Sequence, residues 1–392
     1  MKRDWMKLDQ AYLLPTYGRM PVVVADARGA TITDVEGKCY LDLFAGLAVN
    51  VLGHGHPALM EELEEQSKRF LHISNFFYNI PAIELAEKMI ERTFPGKIFF
   101  TNSGAESTEA MIKYIHKYSK GNNGKGVVVF ENSFHGRTLG ALKLTRMNNV
   151  QQDFPTIKFP VHEIPTEDIQ ALESCFKTHQ PAAFLFEPIS GSGGVHVIST
   201  EFMERAQALC EAHGVLFCVD EIQTGIGRTG RLFAYEYSDV KPDLLLFAKG
   251  VGGGLPLGGI IVAEKISHYF KPGDHGTTFA PNPLSSSLGR RTLEVIDNVF
   301  LQQVREKGEY MIKKLEALKV TFPHSIGDIR GRGLMIGVEI LKGSQTLKQN
   351  FLEREMLVNM TSGNILRLIP PLVIEKEEID RFISVFEEIM TR

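Results

Sequence analysis

The sequence predicts an α/β protein built on a large, doubly wound, mostly parallel sheet. Three observations carry that prediction. Short apolar runs and amphipathic helical stretches alternate through the middle of the chain. Several runs are continuously apolar, as strands covered on both faces are. The chain also has 392 residues, room for two or three domains at roughly 150 residues each.

Residues 20–45 read as strand and turn, with turns at Arg28-Gly29 and Glu36-Gly37. Pro57 to Phe70 and Pro81 to Phe94 are amphipathic and open on proline, a first-turn signal. Apolar runs follow: KIFF ending near Asn102, VVVF at 127–130, AAFLF at 182–186, VLFCV at 215–219, DLLLFA at 243–248 and GGIIVA at 258–263. Thr200 to His213 is a helix between two of them. Beyond residue 285 come a long helix (Ser285 to Leu318), a strand pair near 328–341 and a closing helix from Glu375. The expected division is a large domain over 46–284 and a smaller α+β domain made by both chain ends, 1–45 and 285–392.

Hydrophobic residues at 43% and charged residues at 23% exclude disordered and fibrous classes. Lys plus Arg total 43 against 47 Asp plus Glu, for a net charge of −4. That balance, with no basic block, argues against nucleic-acid or anionic-membrane partners. No apolar run approaches the ~20 residues of a membrane helix. The N-terminus, MKRDWMKLDQAY, lacks the apolar stretch of a secretory signal. Cys39, Cys175, Cys210 and Cys218 show no CxxC spacing and read as reduced, buried thiols, so a cytoplasmic location is expected.

Gly225-Ile-Gly227-Arg-Thr-Gly230 matches the dinucleotide pattern GxGxxG. Such a site needs its glycines directly at a strand-to-helix turn. Five residues intervene after the preceding strand here, and RLFAYEY makes a poor helix. A nicotinamide-dependent dehydrogenase stays open as the alternative from another class. His54 and His56 lack a third ligand nearby and read as a turn, so no metal is expected.

Three features fall at the C-terminal ends of predicted strands, where doubly wound sheets bind ligands. Asn102-Ser-Gly-Ala-Glu106 turns a strand into a helix whose first N–H groups form a phosphate cup. Asp220 ends VLFCVD, and Lys249 ends DLLLFAK before a glycine cluster. Taken singly, the lysine reads as a solvated strand end and the aspartate as a cap. Together they suit pyridoxal 5'-phosphate: an amine to join its aldehyde, a carboxylate for its ring nitrogen and a cup for its phosphate.

The chain resembles the class III aminotransferases of fold type I. The resemblance runs through DLFAGLAVNVLGHGHP (42–57), FFYNIPAIELAEKM (76–89), TNSGAES (101–107), SFHGRTLGAL (133–142), FEPI (186–189), VDEIQTGIGRTGRLFAYE (219–236), AKGVGGGLPLGG (248–259), PGDHGTTFAPNPL (272–284) and LRLIPPL (366–372). It implies that Lys249 links to the cofactor and Asp220 pairs with its ring nitrogen. Gln223 is implied near the 3'-oxygen, and Gly104 and Ala105 at the phosphate. Phe134 is implied to stack on the ring, and Arg137 and Thr277 to meet the substrate. Thr278 is implied to reach the phosphate in a neighbouring subunit, making a homodimer with shared active sites.

FAGLAVN and GDHGTTF narrow the resemblance towards enzymes acting on N2-acetyl-L-ornithine with 2-oxoglutarate, in arginine biosynthesis. Another ω-amino acid or N-acylornithine donor is the alternative within the family. Gly46 stands where relatives using free ornithine carry tyrosine, implying room for an acyl group. The chain also departs from the family. Relatives read EPIQGEGG, whose second Glu masks a C-terminal arginine in one half-reaction. Here the run is EPISGSGG, so Ser192 takes that position and Glu187 matches only the first Glu. The arginine is retained as Arg367, an expected anchor for a substrate carboxylate.

Overall fold

The structure, a computed structural model, describes residues 3–122, 124–155 and 157–391. Seven strands form the central sheet: β1 (Gly96–Thr101), β2 (Val127–Phe130), β3 (Val161–Ile164), β4 (Ala183–Phe186), β5 (Leu216–Asp220), β6 (Leu244–Phe247) and β7 (Gly258–Ala263). Their spatial order is β1-β7-β6-β5-β4-β2-β3. The five from β6 to β3 are parallel, and β7 runs antiparallel to both β6 and β1. Only β7 is therefore reversed. Every residue of β2, β4, β5, β6 and β7 is buried, which is why these runs carry no polar alternation. Sequence reasoning missed β3, VHEI, because it lies at the sheet edge and only Ile164 is buried.

Local signals set the helix ends. Thr200–His213 starts where the Ser199 side chain accepts from Phe202 N–H and stops at Gly214, φ +67°. The two proline-led helices span Pro57–Ser67 and Ile80–Glu91, shorter than the apolar periodicity alone implied. The long helix expected over 285–318 is two helices, Pro283–Val295 and Asn298–Thr321. Asp297 divides them. Its backbone is extended and its side chain accepts from Phe300 N–H, starting a new helix rather than continuing the old one.

The chain ends meet. Strands Val24–Arg28, Thr31–Asp34 and Cys39–Asp42 form an antiparallel meander, and Met356–Leu357 adds a parallel fourth strand to it. Cys39, expected to be buried, is exposed because it opens its strand; Cys175, Cys210 and Cys218 are buried. A second antiparallel sheet orders Ile326–Arg332, Met335–Ile340, Ile365–Leu368 and Asn359–Thr361.

The GxGxxG segment is a buried turn followed by a single 3-10 turn, Ala234–Tyr237. A Cβ on Gly225 would come within 2.8 Å of the Phe233 ring and the Glu221 carbonyl. These glycines serve close packing, and no helix N-terminus follows them to hold a dinucleotide. His54 Nε2 lies 2.9 Å from Asp42 Oδ2. Among the described residues no group of three His, Cys, Asp or Glu could hold a metal ion, and no helix is long and apolar enough to cross a membrane.

Candidate active site

The parallel strands end along one edge, and the residues just past their ends converge there. β5 ends on Asp220, β6 leads through Ala248 to Lys249, and β1 leads through Asn102 and Ser103 into helix Gly104–Asn122. A cavity of about 600 Å³ opens between them. Eight of the ten residues singled out from the sequence line it: Gly104, Ala105, Phe134, Arg137, Asp220, Gln223, Lys249 and Arg367. Thr277 stands one step back, its Oγ1 accepting from Asn102 Nδ2 at 3.0 Å. Thr278 is not part of the lining.

Asp220 is buried and held at both oxygens. Oδ1 accepts from Ile222 N–H at 3.1 Å, and Oδ2 lies 2.7 Å from His135 Nδ1. His135 is itself fixed by its backbone. Its N–H donates to Thr145 Oγ1 and its carbonyl accepts from Thr108 Oγ1. Sequence reasoning passed over His135, although it directly follows Phe134 in FHGR.

Lys249 adopts φ +50°, a left-handed conformation that costs a side-chain-bearing residue energy and recurs at functional sites. Burial pushes its amine down to about 8. The charges of Asp220 and Glu187 oppose that shift, and Arg367 adds to it. Near neutral pH roughly a tenth of the amine is therefore uncharged and nucleophilic, far more than for an ordinary lysine.

Helix geometry leaves the first N–H groups, at Gly104 and Ala105, without intrahelical acceptors. A Cβ on Gly104 would come within 2.9 Å of Ile222 Cγ2, so glycine lets the helix start close to β5. Arg137 lies over the Phe134 ring, 5.7 Å from guanidinium carbon to centroid.

Four successive residues, Ala45 to Ala48, have φ between +47° and +66°. Such a left-handed turn costs roughly 1–2 kcal/mol per non-glycine residue. Asp42 Oδ1 supports it by accepting from Phe44 and Ala45 N–H. The turn brings Leu47, not Gly46, to the cavity wall. The acyl-group space assigned to Gly46 from the sequence is therefore bounded by a leucine one residue on.

Arg367 is buried, yet all four of its hydrogen bonds go to neutral oxygens. Nε and Nη2 donate to Asn359 Oδ1 at 3.0 and 2.7 Å; Nη1 donates to Gly191 O at 2.8 Å and Gln223 Oε1 at 3.2 Å. Burial pushes this guanidinium down to about 10, with the Glu187 charge opposing. Glu187 stays engaged elsewhere, accepting from Phe134 and Gly191 N–H, and burial raises its pKa. Ser192 lines the cavity and brings no charge; its carbonyl accepts from Thr361 and Ser362.

The "Aminotransferase class-III" family model matches residues 12–390. An acetylornithine aminotransferase of Methanocaldococcus jannaschii is 40% identical over 394 residues, covering 100% of this chain and 98% of that one. The crystal structure of acetylornithine aminotransferase from Elizabethkingia anophelis superposes with a TM-score of 0.87 at 32% identity, covering 99% of this chain and 98% of that one. An ornithine aminotransferase structure from Toxoplasma gondii, described with partial occupancy of PLP at its active site, gives a TM-score of 0.92 at 31% identity, over 99% and 95% of the two chains.

Proposed function

This chain belongs to the class III aminotransferases, and we propose that it moves the δ-amine of N2-acetyl-L-ornithine to 2-oxoglutarate, giving N-acetyl-L-glutamate 5-semialdehyde and L-glutamate. The reading puts the reaction in arginine biosynthesis and in the cytoplasm. One observation carries the chemistry: a lysine amine near pKa 8, a buried aspartate and an open helix N-terminus face one cavity. The choice of donor rests on the acetylornithine aminotransferases that match over the full chain.

Class III aminotransferases depend on pyridoxal 5'-phosphate, and the residues present fit it. Lys249 offers an amine to its aldehyde, Asp220 a carboxylate to its ring nitrogen, and Gln223 an amide to its 3'-oxygen. Gly104 and Ala105 offer N–H groups to the phosphate, and Phe134 a flat apolar face. When bound, the group supplies an electron sink that makes the amine-bearing carbon acidic.

The chain's own residues do the rest. Lys249 Nζ, when uncharged, takes the proton from that carbon as general base and later returns one as general acid. His135 orients Asp220 through their 2.7 Å contact. Phe134 and Leu47 keep water from the reacting carbon. Arg137 binds the α-carboxylate of the amine donor and Arg367 a carboxylate of the dicarboxylic substrate.

The homodimer belongs to the same reading. Phe76, Phe77 and Tyr78 are exposed beside exposed Phe279, an apolar strip fit for a second copy. Asn75 Nδ2 ties the strip together by donating to Thr277 O and Ala280 O. Thr278, exposed on this strip, is the residue proposed to serve a neighbour's phosphate site, and Thr277, hydrogen-bonded to Asn102, is the one proposed to meet the substrate. The division into 46–284 and 1–45 with 285–392 is also part of the proposal. It is supported by the central sheet falling within the first and by chain-end strands pairing in the second.

The test is an amine-donor panel with 2-oxoglutarate as acceptor. N2-acetyl-L-ornithine is expected to exceed N2-succinyl-L-ornithine, L-ornithine and 4-aminobutyrate in kcat/KM. If another of these leads, the donor is reassigned within the family.

A further inference from the structure

We propose that Asn359 is a positioning residue that keeps the Arg367 charge available for a substrate carboxylate. The inference rests on the reading of Arg367 as an anchor for a carboxylate of the dicarboxylic substrate. Asn359 and Arg367 are direct cross-strand partners in the antiparallel pair Asn359–Thr361 and Ile365–Leu368. Residues so paired place their side chains side by side on one face of the sheet. Here the amide oxygen of Asn359 accepts from both Nε and Nη2 of Arg367. Arg367 lines the cavity and Asn359 does not, so Asn359 acts only through the arginine.

The amide oxygen sits where a carboxylate oxygen would otherwise form an ion pair with the guanidinium. It supplies similar hydrogen-bond geometry without the charge. With Gly191 O and Gln223 Oε1 as the remaining acceptors, the arginine is pinned by dipoles alone. Its positive charge stays unneutralised by direct contact inside a partly apolar cavity, where it favours an incoming carboxylate strongly. An aspartate at 359 would neutralise that charge from behind the cavity wall, without touching the ligand. The ligand class this arrangement selects is a dicarboxylate long enough to reach Arg367 while its other carboxylate is bound.

The probe is glutarate, an unreactive five-carbon dicarboxylate, titrated calorimetrically into the cofactor-loaded enzyme. Asn359→Asp is expected to weaken glutarate binding by about tenfold or more. Butyrate, lacking the second carboxylate, is expected to change by less than about twofold. Asn359→Ala removes two hydrogen bonds but adds no charge, so it should fall between the parent and Asn359→Asp. The order parent, Ala, Asp separates charge neutrality from simple structural support, and a thermal melt of each variant checks folding. If Asn359→Ala binds more weakly than Asn359→Asp, geometry rather than charge is at work and the proposal falls. It also falls if Asn359→Asp binds glutarate like the parent while Arg367→Ala loses it. If Arg367→Ala binds glutarate as the parent does, the anchor reading itself is overturned, and this inference with it.

Discussion

Lys249 should make the cofactor-free protein less stable than it need be, and the size of that penalty follows from its surroundings. Burial holds the amine at about 8 in the folded chain, against an ordinary value of 10.5. A displacement of that size corresponds to on the order of 3 kcal/mol. The sign follows from proton counting. Between pH 8 and pH 10.5 the unfolded lysine holds a proton that the folded one has released, so stability rises with pH across that window. Below pH 8 the full penalty applies; above 10.5 both states are neutral and it vanishes.

Lys249→Met removes the titrating group and keeps much of the side chain's length. The cofactor-free variant should therefore be more stable than the parent at pH 7, with an advantage that shrinks steadily towards pH 10.5. Urea unfolding of both proteins across this range, at one protein concentration, measures it. Better packing by methionine would add an increment independent of pH, so the diagnostic quantity is the pH-dependent part. An advantage that stays constant with pH, or a variant less stable at pH 7, would refute the argument that burial of the amine is what lowers its pKa. The same variant should show no turnover.

Asp220→Asn should still bind the cofactor but lose turnover by several orders of magnitude, because a charge is removed where it helps most in the transition state. Turnover within a few-fold of the parent would show the role to be misassigned. His135→Leu should lower kcat by about 10- to 100-fold through loss of one hydrogen bond to a carboxylate, and His135→Asn, which can restore a donor, should recover much of it. The visible spectrum of the bound cofactor as a function of pH is the readout that plain misfolding would not reproduce. Ser192→Glu brings a carboxylate to the loop beside Arg367, so KM for glutamate should rise and inhibition of the amine half-reaction by excess 2-oxoglutarate should ease. Single-turnover kinetics of each half-reaction measure both. If Arg367→Ala leaves the glutamate half-reaction untouched, Arg367 is not the carboxylate anchor.

The sheet and the strand-end residues were legible because topology leaves them little freedom. A continuous apolar run such as LLLF must be covered on both faces, and parallel strands must all end on one edge. Asp220 and Lys249 therefore had to converge once their strands were recognised, and the N–H cup at Gly104 with them. Edge strand β3 was missed for the converse reason: half exposed, it carries no such run. The break at Asp297 lay beyond periodicity, since the helical pattern continues across it and only a side-chain cap divides it. The left-handed turn at Ala45–Ala48 defeats local rules altogether. Three of its four residues disfavour the conformation they adopt, and only the chain's wider packing, with Asp42 beneath, selects it.

The departure at Ser192 was visible in one dimension, and from it Arg367 reads as lacking a carboxylate partner. What holds the arginine in its place was not visible. The decision is made three residues beyond a turn. Ser362-Gly363-Asn364 connects two short strands, and that connection sets a register in which Asn359 faces Arg367. Reading NMT-SGN-ILRL as a hairpin would have paired them, because Thr361 opposite Ile365 fixes every other partner. An active-site charge can thus be governed by a residue that lines no cavity and carries no charge, through the geometry of a three-residue loop. Lengthening that loop by one residue should shift the register, turn Asn359 to the opposite face and cost Arg367 two of its four hydrogen bonds. The shift should weaken glutarate binding, though no residue touching the ligand has changed.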